Sequence, residues 1–467
     1  MEFVSTISFI LGIIFAIAYA YQILYFLIGI GAEIRSRFIS SNGDTEKTNR
    51  RRSHDVSQAS HRYAFLLAAR NEENVIGHLI DSIKGQSYPS HLVDIYVVAD
   101  NCTDDTAAVA KEAGAICYER FDKEKVGKGF ALTWLLHKIK EKEGAYNAYD
   151  AYVIFDADNI LDKDYLKYMD IEFSNGFNVV TGYRNSKNFG TNWITAGYSV
   201  AFMREAQYVN RPRRILHSSA TVSGTGYLFS SALLEKHDGW PYHLLTEDIE
   251  MSADYIVNGE KIGYAENAMF YDEQPTRFWQ SWAQRIRWTH GFYQVVFRYG
   301  KGLLGNLFKD KSMFLSRYDM FMFLAPSMIF NAVSVILAVI AVVLNIVNMQ
   351  EAKEMSPYVG QAFISFGTGY YLLNFVQGAI TILSEWNEIH DTTTARKIGS
   401  MFTYPIYMFS YIPISLVALF TKPKWKPIKH TVTKSSKDFK RVTSSKKESV
   451  SDRIEDTAKK QTQVEDI

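Results

Sequence analysis

The chain has 467 residues, 47% of them apolar and 14% aromatic, with 51 Lys plus Arg against 50 Asp plus Glu. That length supports at least one full domain with a sizeable core, and a net charge of +1 leaves no bulk electrostatic argument for nucleic acid. The two cysteines, Cys102 and Cys117, lack metal-site spacing and read as free thiols in a reducing compartment.

Ser5–Gly31 carries no charged residue and is long enough to cross a bilayer. Its flank is Met1-Glu2 rather than a basic start, and its apolar run is too long for a secretory signal. Residues 1–32 are therefore expected to form a transmembrane helix. Arg35, Arg37, Lys47, Arg50, Arg51 and Arg52 follow, so the linker 33–62 is expected in the cytosol and the N-terminus outside.

From Tyr63 the pattern becomes apolar run, polar turn, helix, repeated. Strands are expected at Tyr63–Ala69, Ile95–Ala99, Ala115–Tyr118, Ala151–Phe155 and Val179–Tyr183. Helices are expected at Glu73–Lys84, Asp105–Glu112, Gly129–Lys140 and Asp162–Phe173. Such alternation implies an α/β, Rossmann-like domain over 63–300 with a mostly parallel sheet and helices on its faces. Ligands of such sheets bind beyond the carboxyl ends of the strands. There the sequence places Arg70-Asn71-Glu72-Glu73, then Asp100-Asn101-Cys102-Thr103, then Asp156-Ala157-Asp158-Asn159. Asn and Asp are ordinary turn and cap residues, yet three successive turns deliver them to one edge. If Ala157 continues the extended chain, Asp156 and Asp158 point the same way. Paired carboxylates are costly without a cation, and Mg²⁺ or Mn²⁺ takes one or two carboxylates plus phosphate oxygens.

Lys128 opens a helix in Val126-Gly127-Lys128-Gly129. Asp122 and Gly129 break the Walker A pattern, so a P-loop is rejected. Lys128 reads either as a solvated lysine or as a phosphate contact aided by the helix N-terminus. Ser223-Gly224-Thr225-Gly226-Tyr227 permits close backbone approach to a ligand. Thr246-Glu247-Asp248 starts a helix with Thr246 as N-cap. Asp248 either complements the helix dipole or serves as a general base.

If Trp279–Trp288 is helical, Gln284, Arg287 and Trp288 share one face and present an amide, a guanidinium and an indole together. Those groups suit phosphate oxygens and a sugar ring; the alternative is an amphipathic interfacial helix. An amphipathic segment at 301–320 is followed by expected spans at 321–347 and 361–384. Residues 398–421 are apolar but interrupted by Pro405 and Pro413. A span there would place outside a tail carrying Lys422, Lys424, Lys426, Lys429, Lys434, Lys437, Lys440 and Arg441. An interfacial or re-entrant segment is therefore expected, with a fourth span as the competing reading. The tail 422–467 is expected to be basic, disordered and cytosolic.

These motifs, taken in order from Ala69-Arg70-Asn71-Glu72-Glu73 through Ala99-Asp100-Asn101, Asp156-Ala157-Asp158 and Thr246-Glu247-Asp248 to Gln284-Arg285-Ile286-Arg287-Trp288, resemble those of membrane-bound family 2 glycosyltransferases of the inverting GT-A type. Cellulose, chitin, hyaluronan and poly-N-acetylglucosamine synthases belong to that group. The resemblance runs from about Tyr63 to Thr431, and Phe402–Thr431 resembles the interface helix and loop near the pore of such synthases. It implies that Arg70, Glu72, Asp100, Lys128, Asp156, Asp158, Gln284 and Arg287 bind a nucleotide-sugar, a UDP-sugar being expected. Asp156 and Asp158 would frame the diphosphate and its Mg²⁺ or Mn²⁺. Asp248 would deprotonate the acceptor, and Gly224, Thr225, Gly226, Glu247 and Trp288 would meet it.

The expected protein is a multi-pass enzyme of the cell membrane. Its catalytic domain would face the cytosol and transfer sugar to a growing polysaccharide. Its partners would be the donor, a glycan or lipid-linked acceptor, the bilayer and accessory export subunits, without nucleic acid. Many polymerising members carry more membrane helices, which puts a complete export channel in this one chain in question. Single transfer to a lipid-linked acceptor is the alternative, and a catalytically silent binding protein the third reading.

Overall fold

The computed structural model describes residues 2–41, 61–325 and 349–423, together with Val432, Lys434 and Asp438. Most of the expected span over 321–347, of the linker 33–62 and of the tail from 422 lies outside the described residues.

Eight strands build one sheet: β1 (Tyr63–Ala69), β2 (Val93–Asp100), β3 (Ile116–Arg120), β4 (Ala151–Asp156), β5 (Ile160–Leu161), β6 (Val179–Ser186), β7 (Tyr227–Ser230) and β8 (Gly263–Asp272). Their order is β3-β2-β1-β4-β7-β6-β8-β5. In β1, Tyr63, Phe65 and Leu67 pack into one core and Ala64 and Leu66 into another, because successive side chains point to opposite faces. Helices cover both faces, and the central strands β1 and β4 read as nearly unbroken apolar runs.

The quartet β3-β2-β1-β4 is wholly parallel, as the alternation of strands and helices implies. Beyond β4 the sheet is mixed. β7 runs antiparallel to β4 and β6, β8 is parallel to β6, and β5 is antiparallel to β8. Strands are added to one side of β1 up to β3 and to its other side from β4, so the winding order reverses between β1 and β4, where a crevice must open outside the strand ends.

The helices of this domain are α2 (Ile76–Lys84), α3 (Thr106–Glu112), α4 (Lys128–Glu143), α5 (Tyr165–Ser174), α6 (Trp193–Glu205), α7 (Arg211–Ile215), α8 (Ser231–His237), α9 (Glu247–Val257) and α10 (Phe278–Gly305). A five-residue π turn, Ala206–Asn210, joins α6 to α7. The N-terminal helix α1 spans Glu2–Ser41. It lies against this turn: Phe26 meets the Tyr208 ring at 4.7 Å, and Arg211 pairs with Glu33 at 3.2 Å. Gly29 permits that approach, since a Cβ there would stand 2.6 Å from Tyr208. Deeper in, Arg213 (1% exposed) grips Asp319 through two guanidinium nitrogens at 2.6 and 3.1 Å, and the Tyr25 hydroxyl of α1 donates to Asp319 at 3.0 Å.

The remaining helices are α11 (Phe314–Leu324), α12 (Met349–Ser384), α13 (Thr394–Phe409) and α14 (Tyr411–Phe420). Helix α12 contains the expected span at 361–384. Among the described residues, Ile17–Phe38 and Thr394–Phe420 are long and apolar enough to cross a membrane by length and composition. The expected interfacial segment 398–421 falls in the second of these, in which Ser410 separates α13 from α14.

Candidate active site

The turns after β1 and β2 form one corner of the crevice. Asn71 and Asn101 adopt left-handed backbone, with φ of 59° and 54°, a conformation that asparagine tolerates better than most residues. Their side chains then stitch the corner together. Asn71 Oδ1 accepts from the Thr103 amide at 2.8 Å, and Asn101 Oδ1 from the Asp122 amide at 3.0 Å. Asp100 is held by Arg120, buried beside it at 2.5 Å, while Arg120 also reaches Asp122 and the Lys125 carbonyl.

The turn after β4 carries the acidic pair. Lys128, the first residue of α4, donates to Asp156 at 2.6 Å and to the Gly224 carbonyl at 2.7 Å. Burial alone would lower the Lys128 ammonium, but Asp156, Glu247 and Asp248 outweigh it and the net shift is upward. Asp158 is 4% exposed and shares a hydrogen bond with Asp272. Burial pushes Asp272 up, and Arg184 overrides that and holds it below the usual carboxylate range. Two buried carboxylates in contact need a proton or a cation between or beside them. The described residues offer no cluster of three or more His, Cys, Asp or Glu that could hold a metal. With two carboxylates from the protein, a Mg²⁺ or Mn²⁺ at Asp156 and Asp158 would have to complete its shell with diphosphate oxygens and water.

Gly224 links this acidic turn to α9. With φ of 79° it donates its amide to Asp248 at 2.5 Å while its carbonyl takes Lys128. Burial lifts Asp248 above the ordinary aspartate range, and lifts its neighbour Glu247 to about 7. Thr246 occupies the N-cap position of α9, yet its hydroxyl makes no capping bond and is buried without a partner. The loop before α9 is fixed instead by Glu250, which accepts the amides of His243 and Leu244 at 3.0 and 2.9 Å.

Residues 279–288 are helical within α10, and Gln284, Arg287 and Trp288 line the cavity. The opposite face carries Arg285, fully buried, whose guanidinium donates to Ser410 at 2.6 Å and lies over the rings of Tyr407 and Tyr411. That contact pins α10 to the junction of α13 and α14. Arg287 makes no hydrogen bond or ion pair with any described residue, and burial lowers its guanidinium.

One cavity of about 560 Å³ gathers Arg70, Glu72, Asp100, Lys128, Asp156, Asp158, Gly224, Glu247, Asp248, Gln284, Arg287 and Trp288. Thr225 and Gly226 do not line it, contrary to their expected place at the acceptor. Thr225 lies behind the acidic turn, donating to Asn159 and accepting the Asp156 amide. Gly226 faces the core, where a Cβ would stand 2.1 Å from the Phe270 ring. The cavity also takes in residues that the motifs do not flag: Tyr21 and Tyr25 of α1, Phe202 and Glu205 of α6, Asp272 at the end of β8, and Glu273 just after it. Their helical or strand spacing was the available signal, and it does not separate cavity wall from core. Of the tail, the Val432 amide donates to Glu273 at 3.1 Å and Lys434 to Asp391 at 2.6 Å.

Residues 61–291 match the model of the glycosyltransferase-like family 2. A beta-monoglucosyldiacylglycerol synthase of Synechocystis is 25% identical over 245 residues, 50% of this chain and 48% of that protein. A poly-beta-1,6-N-acetyl-D-glucosamine synthase of Staphylococcus epidermidis is 25% identical over 237 residues, 50% of this chain and 55% of that protein. This chain spans about half the length of these two curated relatives. A solved mannosyltransferase from Pyrobaculum calidifontis, in complex with GDP-Man and Mn²⁺, is 14% identical, with a TM-score of 0.42 over 85% of this chain and 99% of that one.

Proposed function

Residues 61–291 are a domain of the glycosyltransferase-like family 2, and on that premise we propose that the protein is an inverting, membrane-associated glycosyltransferase. It moves a sugar from a nucleotide-diphosphate sugar, a UDP-sugar by expectation, to a growing polysaccharide at the cytosolic face. The observation that carries this reading is Arg287. A half-buried guanidinium that lines the cavity without a hydrogen-bonded or ionic partner is matched to an incoming anion such as a diphosphate.

In this reading the nucleoside end of the donor rests in the corner of Arg70, Glu72 and Asp100. Asp248 accepts the proton of the acceptor hydroxyl as that oxygen attacks the anomeric carbon. The nucleoside diphosphate leaves from the opposite face, so the single displacement inverts the centre. Lys128 and Arg287 stabilise the charge growing on the leaving diphosphate. When bound at Asp156 and Asp158, Mg²⁺ or Mn²⁺ adds Lewis-acid stabilisation of the same oxygens. Trp288 offers the acceptor sugar an apolar face. Exposed Ile17, Ile23 and Leu27 on α1, and Ile364, Phe366 and Leu372 on α12, support contact with lipid.

The test is purified full-length protein in detergent, offered a panel of nucleotide sugars with and without Mg²⁺ or Mn²⁺, with nucleotide release as readout. Release from at least one donor, lost in excess chelator, is expected. No release from any donor would sink the proposal. A gel of labelled products then separates a polymer ladder from the single glycolipid of one-step transfer.

A further inference from the structure

Arg120, the last residue of β3, stands opposite Asp100 in the β2–β3 register, and both side chains are buried. Its guanidinium is divided between two tasks. Nη1 donates to Asp100 Oδ1 at 2.5 Å, while Nη2 donates to Asp122 Oδ2 at 2.8 Å and to the Lys125 carbonyl at 2.7 Å. Asn101 donates to the same Asp100 Oδ1 at 3.1 Å. Asp100 Oδ2 makes no hydrogen bond with any described residue, and Asp100 borders the cavity. Two donors on one oxygen therefore leave the other for a ligand.

The loop held by Nη2 leads straight to Lys128. Asp122 accepts the amides of Glu124 and Lys125 at 2.9 Å each, which closes a turn. Gly127 follows with φ of 145°, a conformation that needs glycine, and Lys128 then opens α4. Val126, Gly127 and Lys128 all line the cavity, whereas Arg120 does not. Asn101 also reaches this loop, through the amide and carbonyl of Asp122. Arg120 carries the tie on to Lys125, three residues short of Lys128. A planar fork that stays charged suits such a double contact, because its two arms diverge at fixed angles. A lysine in its place has one nitrogen and cannot span both.

We propose that Arg120 is a positioning residue that couples the two ends of the donor site. By gripping Asp100 Oδ1 it turns Oδ2 toward the nucleoside. By gripping the Lys125 carbonyl it sets where Lys128 meets the diphosphate. Occupation of one end then stiffens the other, so a complete nucleoside diphosphate is favoured over its fragments. This rests on the glycosyltransferase reading and deepens its account of the donor.

The test uses the full chain in detergent with Mn²⁺. Uridine and UDP compete with a fluorescent UDP analogue in wild type, Arg120→Lys and Asp122→Asn. The quantity read is the gain in affinity from uridine to UDP. In Arg120→Lys that gain should fall by about fivefold or more, the order expected from losing a charge-assisted hydrogen bond. Uridine affinity itself should stay within about threefold of wild type, since the lysine still reaches Asp100. A smaller fall in the gain overturns the coupling; a residue that merely supported the fold would weaken uridine and UDP alike. If Arg120→Lys does not fold, Asp122→Asn, which leaves the pair with Asp100 in place, judges the coupling by the same criterion. Failure of UDP to bind the wild type counts against the expected donor. Hydrogen–deuterium exchange of the unliganded protein then judges the link, since Asp100→Asn should speed exchange across residues 122–128. Unchanged exchange there overturns it.

Discussion

At the scale of the residue, Asp248 and Arg287 divide the proposed chemistry between them. Asp248→Asn should lower kcat by roughly 10²–10⁴-fold while leaving UDP affinity near that of wild type; turnover within a fewfold of wild type would exclude the base assignment. Because burial lifts the Asp248 carboxyl, the acid limb of the wild-type kcat profile should lie above the ordinary aspartate range. Arg287→Ala should weaken UDP binding measured by calorimetry by about tenfold or more, since a charge-assisted bond contributes roughly 1.5–3 kcal/mol. An unchanged dissociation constant would place the diphosphate elsewhere. Both residues are legible in the sequence, because each sits in a compact motif of chemically distinctive side chains. Arg120 and Glu205 are not. Arg120 acquires its meaning from Asp100 on the neighbouring strand, and Glu205 from having no hydrogen bond or ion pair with any described residue. Neither property is local to the chain. Thr225 and Gly226 show the converse, since a flexible small-residue stretch marks close packing here as much as ligand approach.

Legibility changes at the scale of the element. Of the five strands read from sequence, β1, β2, β4 and β6 are largely buried on both faces and their apolar residues announce them, while β3 is only partly buried. β8 is broken by Glu266 and Asn267, and β7 has only four residues, so neither run stands out. Helix α6 is buried nearly all round and lacks the polar stripe that marks an amphipathic helix. Its neighbour α12 ends at a buried carboxylate with a measurable consequence. Glu385, 3% exposed, accepts the Tyr183 hydroxyl of β6 at 2.6 Å, and burial raises it from 4.5 to about 7. Its folded value lies above its unfolded one, so its contribution to stability is fully present below pH 4.5 and is lost as pH rises through about 7. The loss is on the order of 3 kcal/mol. Glu385→Gln should therefore raise the melting temperature of the detergent-solubilised protein at pH 8 and change it little at pH 4.5. Equal effects at both values would show that the carboxyl is not buried in its charged form.

For the whole molecule, the course of residues 398–421 decides on which side of a membrane the basic tail would lie. The basic tail argues that residues 398–421 return to the side they came from; the length and apolarity of Thr394–Phe420 argue for a crossing. Composition alone does not choose between the two. A Ser436→Cys variant, with Cys102 and Cys117 first replaced by Ser, should resist a membrane-impermeant thiol reagent in intact cells. Labelling would put the tail outside and make 394–420 a span. The parallel half of the sheet follows from sequence because each of its crossovers needs a helix. The mixed half does not, since β4, β7, β6 and β8 are brought together across long separations. The N-terminal helix has a role that hydropathy alone does not disclose. Tyr21 and Tyr25 of α1 face the same cavity as Asp248 and Trp288, so in the proposed reaction the helix would be a side of the vessel as well as a tether. Removing residues 1–60 should leave a vessel that leaks. Water would then reach an activated donor that no acceptor shields, and nucleotide release would come uncoupled from sugar incorporation. The ratio of free sugar to transferred sugar, rather than total turnover, would record the missing wall.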